Sequence, residues 1–116
     1  MKKNRVILSE DAREVYSYLK ENAPNAKTER ILFKAVTNKI ELLKSNVHYG
    51  DPISKHRIPK VYIDKYEIKN LFRVELPNYW RMLYTLKDDE TIEIIIFVLD
   101  LIDHSTYNKK FGYKPK

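Results

Sequence analysis

The chain has 116 residues, 43% of them hydrophobic, and 22 Lys and Arg against 16 Asp and Glu give a formal net charge of +6. That length fits one domain, 1–116, and the absence of cysteine excludes disulfides and thiolate chemistry. The positive surplus favours a polyanionic or acidic partner through long-range attraction and counterion release.

The N-terminus, Met1 to Arg5, is basic, but only Val6-Ile7-Leu8 follows before charges return, which is not the apolar core of a signal peptide. A cytoplasmic location is therefore expected, and that short apolar segment reads as a strand. Ser9 is an acceptable helix N-cap, and Glu10 and Asp11 suit the dipole of a first turn. Ala12, Val15, Tyr16 and Leu19 form a helical stripe closed by Asn22-Ala23-Pro24-Asn25. Leu32, Val36, Ile40, Leu43 and Val47 step by four, four, three and four along a second helix. A strand followed by an antiparallel helical hairpin results.

Tyr49-Gly50-Asp51-Pro52 and Ile58-Pro59 read as breaks, so Ser54 to Lys60 is expected to be a loop that holds Lys55, His56, Arg57 and Lys60 in the open. Leu71 to Leu76 alternates as a strand, and Pro77-Asn78 marks a turn. Trp80, Met82, Tyr84 and Leu86 then alternate with Arg81, Leu83, Thr85 and Lys87. Asp88-Asp89-Glu90 is a second turn. The run from Ile92 to Leu99 is apolar on both faces, as in a central strand, and the whole stretch to Ile102 is too short to span a bilayer. His104 to Lys116 forms a tail with a helical turn. The order predicts an α+β fold, β-α-α-β-β-β, with a small antiparallel-rich sheet covered on one face by the helical hairpin. The first strand joins the sheet edge or pairs with the last strand. Arg73, Glu75, Arg81 and Thr85 are expected on the open face.

No metal or cofactor is expected. His48, His56 and His104 are far apart, and two glycines leave no phosphate-cradling loop. What remains is arginine, lysine, histidine and tyrosine, which suit phosphodiester cleavage without a metal. Cations stabilise the charge that builds on phosphate, and a base and an acid move the protons. RNA supplies its own nucleophile, the 2′-hydroxyl.

Asn70 to Tyr84, Asn-Leu-Phe-Arg-Val-Glu-Leu-Pro-Asn-Tyr-Trp-Arg-Met-Leu-Tyr, resembles the central hairpin of RelE/ParE-type toxins, with an arginine and a tyrosine three residues on at Arg81 and Tyr84. Asp103 to Tyr113 is similar to the tail of one branch, which pairs a histidine with a nearby tyrosine. The resemblance covers nearly the whole chain. It implies a ribosome-dependent endoribonuclease that cuts mRNA and is held inactive by an acidic antitoxin. It implies that Arg81 contacts the scissile phosphate and that His104 or Tyr107 takes the acid/base position. Lys55, His56, Arg57 and Lys60, with Arg73, Lys109 and Lys110, become RNA-binding candidates, and Asp51 is the carboxylate near the loop. The same fold also serves toxins that bind DNA gyrase and cleave nothing, and an orphan binding module without activity would look alike.

Structural readings stand beside these. If the Pro77-Asn78-Tyr79 connection is a three-residue turn, Glu75 lies opposite Arg81 in a cross-strand ion pair of a few tenths to about 1 kcal/mol. Tyr84 shares a face with Trp80 and Met82 and reads as core. After the Asp103 cap, His104 is also a plain first-turn residue, and Tyr107 and Tyr113 can simply pack the tail. Lys109 and Lys110 suit a helix C-terminus.

Overall fold

In the computed structural model, which describes residues 3–88 and 93–112, the chain opens with strand β1 (Lys3–Leu8). Ser9 then caps helix α1 (Glu10–Asn22), its Oγ accepting from the Ala12 N–H at 3.0 Å and donating to the Leu99 carbonyl at 2.6 Å. One buried hydroxyl thus satisfies the helix start and ties it to the far strand. Helix α2 (Lys27–Ser45) returns antiparallel, burying Leu32, Val36 and Leu43. Val47 lies past its end but still packs against the same core.

Strand β2 is only Asp51–Pro52. A 3₁₀ turn at Lys55–Arg57 follows, then helix α3 (Lys60–Tyr66), strand β3 (Phe72–Glu75), a tight turn at Pro77–Tyr79 and strand β4 (Arg81–Asp88). Strand β5 (Glu93–Ile102) and helix α4 (His104–Phe111) complete the fold. Asp103 caps α4 by accepting from the Thr106 N–H at 2.8 Å, and Gly112 ends it in the left-handed region at φ 76°. The Asp89-Glu90 part of the expected second turn, and Tyr113, lie outside the described residues.

Among the described residues the protein is an α+β fold of four α-helices and a five-stranded mixed sheet in the order β1-β5-β4-β3-β2. β1 runs parallel to β5 and the other pairs are antiparallel. The apolar last strand is interior, as its two-sided hydrophobicity predicts. No helix among the described residues is long and apolar enough to cross a membrane.

Two expectations are corrected. The segment after Pro59 is helix, not open loop: proline fixes φ at a value that suits a helix start, and Tyr62 anchors the helix in the core. The second sheet face is also not open. α3 and α4 lie on it and share an apolar cluster of Ile58, Tyr62, Ile68, Leu71, Leu83, Leu99, Ile102 and Tyr107. Thr85, expected to be exposed, is buried there with its hydroxyl 2.8 Å from the Asn70 carbonyl. The element order is therefore β-α-α-β-α-β-β-β-α, and the rim of the second face at the β3–β4 turn meets solvent, with Tyr79 exposed there.

A β-bulge shapes this face. Leu83 pairs with Asp100 while Tyr84 pairs with Val98, so Leu99 is an extra residue in β5. Leu99 packs into the second cluster, and Asp100 turns its carboxylate towards α3 and α4.

Candidate functional site

The strand register places the two arginines. Arg73 faces Leu83, and Glu75 faces Arg81, so both guanidiniums project on the α4 side of the sheet. There they meet Tyr107, whose ring is buried at 4% exposure. The Arg81 guanidinium lies 5.3 Å from the centre of that ring and the Arg73 guanidinium 6.0 Å. Arg73 Nη1 also donates to the Tyr107 hydroxyl at 3.1 Å. Two guanidiniums within about 6 Å of one ring centre is a cation–π arrangement that gathers positive charge around Tyr107.

The hydrogen bond to Tyr107 raises the Arg73 pKa above its ordinary value, outweighing the lowering by partial burial. Asp51, exposed on β2, stands 3.8 Å from Arg73 Nη2. Glu75 and Arg81 face each other in register as the three-residue turn requires, but no ion pair joins them among the described residues; Arg81 Nη1 donates instead to the Trp80 carbonyl at 3.2 Å. The Nε–H groups of both arginines are buried without a hydrogen-bond partner. Those two Nε–H groups lie away from solvent, and it is the Nη ends of the two part-exposed guanidiniums that offer donors to an anion.

His104 is exposed on the first turn of α4, three residues before Tyr107 and so on the same side of the helix. Its Nε2 lies 3.2 Å from the Asn108 amide nitrogen, and its ring centre is 5.8 Å from that of Tyr79 on the β3–β4 turn. Asp103, just before it, is held below the usual carboxylate range by the Thr106 backbone N–H.

The structure thus brings Arg81, Tyr107 and Arg73 together, and places His104 one turn before Tyr107 on α4, against the Tyr79 ring. The RNA-binding candidates divide. Arg57 joins Asp51, Arg73, Tyr107 and Phe111 around a recess of about 120 Å³, and Lys55 and His56 are exposed on the same turn as Arg57. Lys109 is exposed near the end of α4. Lys60 starts α3, exposed. Lys110 is committed inward: its Nζ donates to Asp100 Oδ2 at 2.9 Å and lies 5.2 Å from the Tyr62 ring centre. Tyr84 is core, donating to the Val47 carbonyl at 2.8 Å and accepting from the Gly50 N–H at 3.0 Å.

Two features escape the sequence reading. Asp100 is a carboxylate at 8% side-chain exposure, held by Tyr62 and Lys110, and its signal was a charge inside an apolar strand. Tyr79 is 73% exposed at φ 62°, next to Asn78 at φ 59°; as a turn residue it gave no signal. Among the described residues, no group of three His, Asp or Glu side chains could hold a metal ion.

Compared with protein-family models, with curated proteins and with solved structures, the chain finds no match.

Proposed function

We propose that the chain is the toxin of a type II toxin–antitoxin pair, a metal-independent, ribosome-dependent mRNA endoribonuclease of the RelE/ParE kind. The observation that carries this reading is the convergence of Arg73 and Arg81 on Tyr107, with an exposed histidine, His104, one turn earlier on the same side of α4. The reaction needs little more than those groups. The RNA 2′-hydroxyl attacks the adjacent phosphorus, the bond to the 5′-oxygen breaks, and a 2′,3′-cyclic phosphate remains. One proton leaves the 2′-hydroxyl and one is delivered to the departing 5′-oxygen.

Arg81 and Arg73 take the phosphate and stabilise the charge that builds on it. Tyr107, buried with its hydroxyl on Arg73, orients that guanidinium. His104 is the proton-carrying group at the rim, and Arg57 with Lys55, His56 and Lys109 extends the positive surface along the strand. The partners are the ribosome with its mRNA and an acidic antitoxin, met in the cytoplasm.

Expression in a bacterial host tests the reading. The wild type arrests growth and leaves new mRNA ends bearing 2′,3′-cyclic phosphate, and Arg81→Ala does neither. Growth arrest without new mRNA ends would overturn it and point to a non-cleaving target such as DNA gyrase.

A further inference from the structure

At the β3–β4 turn, Glu75, Leu76, Asn78, Tyr79 and Arg81 enclose an open recess of about 470 Å³. Two consecutive non-glycine residues there, Asn78 and Tyr79, adopt the left-handed region at φ 59° and 62°. L-residues rarely adopt this conformation, and it persists only where the surroundings impose it. In this turn the Tyr79 ring stands exposed to solvent, beside the His104 ring. An exposed aromatic side chain next to a phosphate-binding arginine is a stacking platform for an unpaired base.

Glu75 fits the same picture. A carboxylate on the rim of a basic site opposes phosphate, and no ion pair to Arg81 neutralises it among the described residues. Its two acceptor oxygens match a base edge that presents two adjacent N–H donors. Guanine, through N1–H and the 2-amino group, is the RNA base that does so. Uracil presents one donor flanked by carbonyls, which would repel the carboxylate. Adenine and cytosine offer an amino group beside an acceptor nitrogen.

We infer that the recess formed by Tyr79, Glu75 and Arg81 is a nucleotide-binding site selective for an unpaired guanine. The base stacks on Tyr79, its donor edge lies on Glu75, and its phosphate meets Arg81. The identity of the ligand as RNA rests on the nuclease reading; the base preference rests on the recess itself.

The test is fluorescence anisotropy with labelled 2′-O-methyl pentanucleotides, which cannot be cut: UUGUU, UUAUU, UUCUU and UUUUU. The wild type binds UUGUU about ten- to a hundredfold more tightly than the others. Tyr79→Gly removes the ring at a backbone angle that glycine adopts freely, so folding is preserved and affinity for UUGUU falls to that of the rest. Glu75→Gln erases the guanine preference while binding of the other three stays within about twofold. Equal binding of all four by the wild type, binding of none, or a preference that survives Glu75→Gln would overturn the inference. Guanine-selective binding without mRNA cleavage would sink the nuclease reading alone, and cleavage without base preference would sink the recess alone.

Discussion

Replacing Tyr62 with phenylalanine deletes one hydroxyl at the centre of the second core. That hydroxyl donates to Asp100 Oδ2 at 2.7 Å, and Lys110 Nζ donates to the same oxygen at 2.9 Å. Burial, with the Asp100 carboxylate adding to it, pushes the Tyr62 phenol well above its ordinary range, so it remains a donor. Removing a hydrogen bond to a buried charged acceptor costs about 1.5–3 kcal/mol. Lys110→Met removes the charge but keeps the aliphatic stem. Breaking a buried pair costs about 3–5 kcal/mol, but the lysine side chain is 31% exposed, and solvent screening brings the expected loss to about 1–3 kcal/mol. At about 4 °C per kcal/mol for a domain of this size, each change lowers Tm by roughly 4–12 °C. Because both donors share one oxygen, the double variant departs from additivity by more than about 0.5 kcal/mol. Urea unfolding of the two single variants and the double variant measures this. A loss under about 0.5 kcal/mol for Tyr62→Phe, or strict additivity, would refute the claim that Asp100 fastens α3 and α4 to the sheet.

Three further outcomes are expected. Ser9→Ala loses the α1 cap and leaves the Leu99 carbonyl without its donor, costing about 1–3 kcal/mol in chemical denaturation. Gly50→Ala would set a Cβ 2.8 Å from Tyr84 Cε1 and 3.0 Å from the Arg73 carbonyl. The Tyr84 ring is fully buried and pinned by its hydroxyl, so Tm falls by the equivalent of about 1–3 kcal/mol. Asp103→Ala loses the α4 cap, about 0.5–2 kcal/mol near neutral pH. Since the folded-state pKa of Asp103 is lowered, its contribution is complete above the ordinary carboxylate range and fades as pH falls through the lowered value. Wild-type and variant Tm curves measured against pH should therefore converge in acid.

The helical hairpin and the apolar central strand were legible because their signals are local. The α1 and α2 stripes repeat at helical spacing, and β5 is apolar on both sides. The β3–β4 register was legible too, since a three-residue turn dictates that Glu75 faces Arg81. α3 was hidden by the prolines around it. Pro59 reads as a break, though proline is equally suited to a helix start, and seven residues are too few for a clear period. The closed second face was hidden for a different reason. The bulge at Leu99 breaks the strict alternation of β5, so Asp100 cannot be assigned to a face by counting from Val98. Arg73 and Tyr107 are 34 positions apart, and only the docking of α4 beside β3 joins them. The resemblance to the toxin hairpin and tail named Arg81, His104 and Tyr107, but nothing local could say that both arginines would share one ring.

The most direct measurement adds purified protein to bacterial ribosomes programmed with a defined mRNA and maps the cut sites. Wild type, Arg81→Ala and Arg73→Ala run side by side, each verified as folded. The account predicts cleavage within the A-site codon by the wild type, abolished by Arg81→Ala and strongly reduced by Arg73→Ala. No cleavage by folded wild type on active ribosomes, or full cleavage by Arg81→Ala, would contradict it.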